Sequence, residues 1–183
     1  MARVSLIDAN DRTDLSDLVA KLSTARRGRL INIYRMLLHS PSIAVAWMDF
    51  NTAVRNAAQL DGQTRELAIL RIAILNRVDY ILRAHASSFA INAGISVAQI
   101  GALDDWRPST LFSSAHRSLL AYVDSMTRDI EVPDSVFSAL REHYSEQQVV
   151  EATVLIGAYN MHSRVLRALR IDPESVPQAS SSS

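Results

Sequence analysis

The residues best suited to chemistry in this chain of 183 residues are a glutamate and a histidine, Glu66 and His85, with a tyrosine, Tyr80, close before the histidine. A carboxylate that accepts one imidazole N–H sets the tautomer and the basicity of the other nitrogen, which is the arrangement of a general acid–base pair. The phenol of Tyr80 can donate a proton or hydrogen-bond a carbonyl. Val78, Ile81, Leu82 and Phe89 share a helical stripe with His85, so they are expected to line an apolar pocket for a small organic substrate. Asn160 stands on the last helical segment, one turn before Arg164, and is expected to touch that substrate. Each of these residues also has a structural reading. Glu66 and His85 are equally a buried, mutually satisfied pair that locks two helices together, and Asn160 a buried polar fixture.

The composition removes several other chemistries. There is no cysteine, so disulfides, thiolate metal sites and cysteine nucleophiles are excluded. No histidine lies three or four residues from another, and no H-E-x-x-H occurs, so no metal site is expected. There is no phosphate-cradling glycine loop and no nucleotide fingerprint, and no cofactor is expected. The formal net charge is zero, which gives no electrostatic case for nucleic acid or an anionic membrane. No run of about 18 apolar residues is present and Met1 to Asp14 lacks a signal-peptide pattern, so the expected location is the cytoplasm.

The elements that must position these residues are helices throughout. Asp11 to Thr24 has the 3–4 apolar spacing of a short amphipathic helix, interrupted at Arg26, Arg27, Gly28 and Arg29. Leu30 to His39 and Ser42 to Leu60 follow, separated by Ser40-Pro41. Gln63 to Asn76 is apolar nearly all round and is expected to be buried, with Arg65, Glu66 and Arg71 its exceptions. Arg77 to Asp79 breaks the chain, and Tyr80 to Ala93 forms the next helix, closed by Gly94. A tight turn there makes the two helices antiparallel and can set Glu66 beside His85. Ser96 caps a short helix to Ala102, and Leu103 to Leu111 is a loop. Phe112 to Thr127 is amphipathic, Pro133 opens a helix to His143, and Ser145 with Gln148 makes a capping box before a last helix to Arg170. The expected organisation is an N-terminal helical arm (1–29), a helical domain (30–171) and a flexible tail (172–183).

The window from Arg65 to Leu103 resembles the carboxymuconolactone decarboxylase / alkylhydroperoxidase D-like family. R-E-L-x-I-L-R-x-A at residues 65–73, D-Y at 79–80, His85 and A-G-I-S at 93–96 carry the match. NIYRMLLHSP (Asn32 to Pro41) and LIGAYNMHSRVLRAL (Leu155 to Leu169) extend it over most of the chain. The resemblance implies an all-α bundle that self-associates into trimers or hexamers. It aligns Glu66 with the family glutamate and His85 with the family histidine. The two cysteines of the peroxidase members fall on Val78 and Ile81, and Tyr80 stands where many of them have a second histidine. Decarboxylase-like members have a glutamate four residues before the histidine, a position held here by Ile81. Thiol peroxidase chemistry is therefore lost. The activity expected is lyase- or isomerase-type proton transfer by the Glu66–His85 pair, assisted by Tyr80. The alternative is a catalytically degenerate oligomer that binds a small ligand or a partner.

Overall fold

The computed structural model describes residues 1–26, 28–56 and 59–174, and every regular element among them is helical. Two short 3₁₀ turns lead into α1 (Ser16–Thr24); α2 (Asn32–Leu37) and α3 (Pro41–Asn56) follow. The central hairpin is α4 (Gly62–Leu75) and α5 (Asp79–Ala84), the latter continuing through a π-helical turn (His85–Phe89) into α6 (Ala90–Asn92). The rest comprises α7 (Val97–Ala102), α8 (Ser114–Arg128), α9 (Asp134–Arg141) and α10 (Glu146–Leu169). No described helix is long and apolar enough to cross a membrane.

The helix with the least polar face becomes the centre. Leu67, Ala68, Ile69, Leu70, Ile72 and Ala73 of α4 are all buried, and α8 and α10 pack against it. Each fully buried Leu or Ile contributes roughly 1.5–3 kcal/mol of transfer free energy. The start of α4 is set by Asp61, whose carboxylate accepts from the Thr64 N–H at 2.9 Å. Serine-initiated capping boxes open α7 (Ser96 with Gln99) and α10 (Ser145 with Gln148), satisfying N–H groups that a helix start leaves unpaired.

The segments at either end of the chain are fastened to this core. Leu22 of α1 is fully buried. Ile7 N–H donates to the Arg35 carbonyl at 3.2 Å, Arg35 Nε returns a bond to the Ile7 carbonyl at 3.0 Å, and Arg3 N–H reaches the Leu169 carbonyl at 2.9 Å. After α10 the chain turns at Arg170 (φ 51°) and buries Ile171. Of the tail expected to be flexible, Asp172 and Glu174 are tied to Asn32. The Asn32 side chain donates to the Asp172 carbonyl at 3.0 Å and its backbone N–H to Glu174 Oε1 at 2.8 Å. Residues 175–183 of that tail lie outside the described residues, as do Arg27 in the expected break after α1 and Ala57–Ala58 in the helix expected to run to Leu60.

Candidate active site

The hairpin turn brings Glu66 and His85 together. α4 ends at Leu75 with Asn76 as its cap, Arg77 takes a left-handed conformation (φ 54°) and Val78 is already extended, so the direction reverses within three residues. His85 Nδ1 then lies 2.6 Å from Glu66 Oε2, with Glu66 1% and His85 6% exposed. The uninterrupted helix expected over Tyr80 to Ala93 is in fact opened by the π-helical turn at His85–Phe89, where the Ala90 N–H reaches back to the His85 carbonyl. One extra residue in the turn leaves the apolar spacing almost unchanged, so the pattern gave no sign of it. The second carboxylate oxygen, Glu66 Oε1, stands 3.5 Å from Arg65 Nε and makes no hydrogen bond.

Burial lowers the pKa of His85 and outweighs the opposing pull of Glu66; Arg55 and Arg65 lower it further. Burial by itself would raise Glu66, but the hydrogen bond from His85, with Arg55 and Arg65 nearby, brings it below the usual carboxylate value. Both directions describe one state near neutral pH: an ionised Glu66 accepting from Nδ1–H of a neutral imidazole. The Nε2 lone pair is then left as the base. Nε2 faces the Tyr159 hydroxyl at 3.5 Å, a long contact that leaves the nitrogen largely unengaged. Burial pushes Tyr159 up to about 12, so it remains a phenol. His162 stacks on the Tyr159 ring (centroids 5.6 Å apart) and meets Trp47 edge-on at 4.6 Å. Burial, helped by the positive groups around it, pushes His162 down to about 3.

His85 opens on a cavity of about 560 Å³ whose wall also includes Tyr80, Ile81, Phe89, Tyr34, Tyr159 and His162. Arg26, Arg29, Arg55 and Arg83 line it too, against a single carboxylate, Glu174. None of these four arginines makes an ion pair with a described carboxylate. Arg26 donates to the Tyr34 hydroxyl at 2.8 Å, and Arg55 lies over the Phe89 ring at 4.8 Å. Among the described residues no three His, Asp or Glu side chains are grouped to hold a metal ion.

Of the residues singled out in the sequence, the structure brings His85, Tyr80, Ile81 and Phe89 to the cavity and sets Glu66 behind His85. Val78, Leu82 and Asn160 are not part of its wall. Val78 is buried in the turn, where its N–H bonds the Ala73 carbonyl, and Leu82 packs on the core. Asn160 sits one residue past Tyr159 and so points about 100° away round the helix. It accepts from the Asn76 side chain at 3.0 Å and donates to Thr127 at 3.1 Å. The Tyr80 hydroxyl donates to Glu174 at 2.7 Å, so the phenol that faces His85 is that of Tyr159. Tyr159, Arg26, Arg29 and Arg55 do not figure among the site residues read from the sequence. Tyr159 and His162 share a helix face at i,i+3, a readable signal, whereas Arg26, Arg29 and Arg55 are joined to His85 only by the fold.

The model of the carboxymuconolactone decarboxylase family matches residues 41–125, which include α4, the turn and His85. With the helical fold around them, this match supports that family for the chain, which has the alkylhydroperoxidase D-like fold and no cysteine. The uncharacterized protein YnjA of Escherichia coli is 29% identical over 136 residues, 74% of this chain and 71% of YnjA. A candidate AhpD antioxidant defence protein of unknown function from Agrobacterium tumefaciens superposes with a TM-score of 0.72 at 29% identity, covering 77% of this chain and 97% of its own. The debrominase Bmp8, solved as a cysteine-to-alanine variant in complex with 2,3,4-tribromopyrrole, shares the fold at 19% identity. Its TM-score is 0.75, covering 96% of this chain and 95% of that one.

Proposed function

We propose that this protein is an acid–base enzyme, of the lyase or isomerase type, acting on a small organic anion. The observation that carries the reading is the orientation of His85. Its Nδ1 is held at 2.6 Å by a buried carboxylate, while the ring borders a cavity of about 560 Å³ lined by four arginines. A substrate carboxylate meets guanidinium groups that pair with no carboxylate among the described residues. Nε2 of His85 removes a proton from a carbon next to a carbonyl, and the Glu66 carboxylate stabilises the imidazolium that forms. In an isomerisation the C–H electron pair passes to the carbonyl as an enolate and the proton returns at a different carbon. In a lyase reaction Nε2 takes instead the proton of a hydroxyl β to the carbonyl. The Cα–Cβ bond breaks into the enolate as that oxygen becomes a carbonyl, and the proton returns to the enolate carbon. Ile81 and Phe89 supply apolar contact for the substrate's carbon skeleton, and the Tyr159 hydroxyl is placed to assist at the carbonyl oxygen. The reading requires no resident cofactor, and a thiol route has no nucleophile in this chain.

Self-association into trimers or hexamers, inside the cytoplasm, belongs to the same proposal. Support for it comes from Val150, Val154 and Met161, which follow one face of α10 and are 62%, 42% and 38% exposed.

The test is thermal stabilisation of the purified protein across small aromatic acids, lactones and hydroperoxides, run beside His85→Ala, followed by product analysis for each stabilising compound. Stabilisation by an organic acid together with turnover that His85→Ala abolishes is the expected result. Binding without turnover favours a catalytically degenerate binding protein, and hydroperoxide turnover with a thiol donor would overturn the proposal.

A further inference from the structure

Among the described residues that line the cavity, Glu174 is the single carboxylate facing four arginines, and its bonding is lopsided. Oε1 accepts two hydrogen bonds, from the Tyr80 hydroxyl at 2.7 Å and from the Asn32 backbone N–H at 2.8 Å. Oε2 is buried and has no partner, although Arg26, Arg29 and Arg83 line the same cavity. A carboxylate with one oxygen doubly bonded and the other desolvated and idle is held by less than the full set of bonds it can accept. It is also held by a short tether, because Ile171, three residues earlier, is buried in the core.

From this geometry we infer that the Tyr80 hydroxyl and the Asn32 N–H form a carboxylate-binding subsite, that Glu174 fills it in the ligand-free chain, and that the carboxylate of an organic acid takes its place. The inference rests on the reading of the cavity as a site for an organic anion. A free acid makes the same two hydrogen bonds and, unlike Glu174, is not confined by a tether that keeps it off the arginines. Its skeleton then lies along Ile81 and Phe89. Glu174 thereby acts as an internal competitor that weak or poorly matched anions fail to displace. Tyr80 serves this subsite by binding and takes no part in proton transfer.

The experiment is calorimetric titration of the full chain with benzoate, comparing the unaltered protein with Glu174→Ala, Glu174→Gln, Glu174→Ala/Tyr80→Phe and Asp172→Asn. Hydrogen exchange across residues 171–174 is followed in the unaltered protein with and without benzoate. Glu174→Ala is expected to bind about tenfold tighter, as loss of a hydrogen-bonded competitor should give. Glu174→Gln falls between, since the amide oxygen still occupies the subsite. Adding Tyr80→Phe removes the gain. Asp172→Asn, which deletes an equal charge outside the cavity, leaves affinity unchanged and so separates displacement from simple electrostatics. Benzoate should also speed exchange at 171–174. Equal affinity of Glu174→Ala and the unaltered protein, equal gains from Asp172→Asn and Glu174→Ala, or no binding to any variant would each overturn the inference. Benzoate affinity is read without turnover, so a failure of the proton-transfer reading, seen as catalysis that survives His85→Ala, is a separate result.

Discussion

Two buried acid–base pairs anchor on the same helix, α4, and they are built in opposite ways. Arg71 is saturated. Nε and Nη2 grip the two Asp124 oxygens at 2.6 and 3.0 Å, and Nη1 donates to the Leu103 and Asp104 carbonyls at 2.8 and 2.9 Å. Asp124 in turn accepts from Trp106 at 3.3 Å and Arg107 at 2.9 Å. Glu66 and His85 share one short bond, leaving a carboxylate oxygen without a hydrogen bond and an imidazole nitrogen with only a long contact. A saturated buried pair has nothing left to offer a ligand and acts as a strut between α4, α8 and the loop after α7. An unsaturated one keeps acceptor capacity at a cavity, which is what proton transfer requires.

The comparison predicts its largest effect at the strut. Asp124→Ala strands a buried guanidinium and should cost about 3–5 kcal/mol in urea unfolding. Arg71→Met combined with Asp124→Leu should recover much of that loss, because replacing both partners removes the unpaired charge. A small loss in Asp124→Ala would mean that Arg107 and Arg71 do not depend on it, and the contrast between the pairs would collapse.

Acid should separate the pairs next. His85 and His162 have folded-state pKa values lowered by burial, so the unfolded chain binds their protons first and stability falls as pH drops below about 6.5. For His162 that loss continues toward its folded value of about 3. Each such histidine sets a slope of at most about 1.4 kcal/mol per pH unit. Burial works to raise Asp124, but Arg71, Arg107 and Trp106 hold it below the usual aspartate value. Its contribution is therefore kept until pH falls below about 3.9. Urea midpoints measured from pH 7 to 4 should decline in the unaltered protein and decline less in His162→Phe. Identical profiles for the two would remove His162 from the account.

Glu66→Gln comes third. The amide can still meet the imidazole, so the stability cost should be about 1 kcal/mol, well short of the Asp124→Ala loss. Turnover should nevertheless fall about 100-fold or more, because the imidazolium loses its countercharge. A cost equal to that of Asp124→Ala, with turnover intact, would make Glu66 a second strut.

The sequence alone made one of these pairs legible and left the other hidden. Glu66 and His85 lie on neighbouring helices joined by a short break, so spacing was enough to suggest their meeting. Arg71 was visible only as a charge on an apolar helix; its partner is 53 positions away, at Asp124. The helices themselves were readable because apolar periodicity, Asp61-Gly62, Ser96 and the Ser145 capping box are local signals. The cavity was readable only in part. Ile81 and Phe89 follow from the stripe of His85, but the arginines reach it from α3, α5 and the segment after α1. Glu174 returns along a segment whose composition suggested only fraying.

The smallest effect is expected at Tyr159, and it tests whether the Glu66–His85 pair is set by the carboxylate alone. The Tyr159 hydroxyl is 3.5 Å from Nε2, at the limit of a hydrogen bond, and no other described group bonds it. Tyr159→Phe keeps the ring that stacks on His162 and should change stability by no more than about 0.5 kcal/mol. Imidazole nitrogen shifts in NMR should still report the Nδ1–H tautomer of His85, because Glu66 holds that proton. Glu66→Gln, by contrast, can present its own N–H to Nδ1 and should move the tautomer population. A shift of His85 in Tyr159→Phe as large as that in Glu66→Gln would mean that the phenol helps to orient the imidazole. The pair would then be a triad whose third member faces the substrate, with Nε2 already engaged before any ligand arrives.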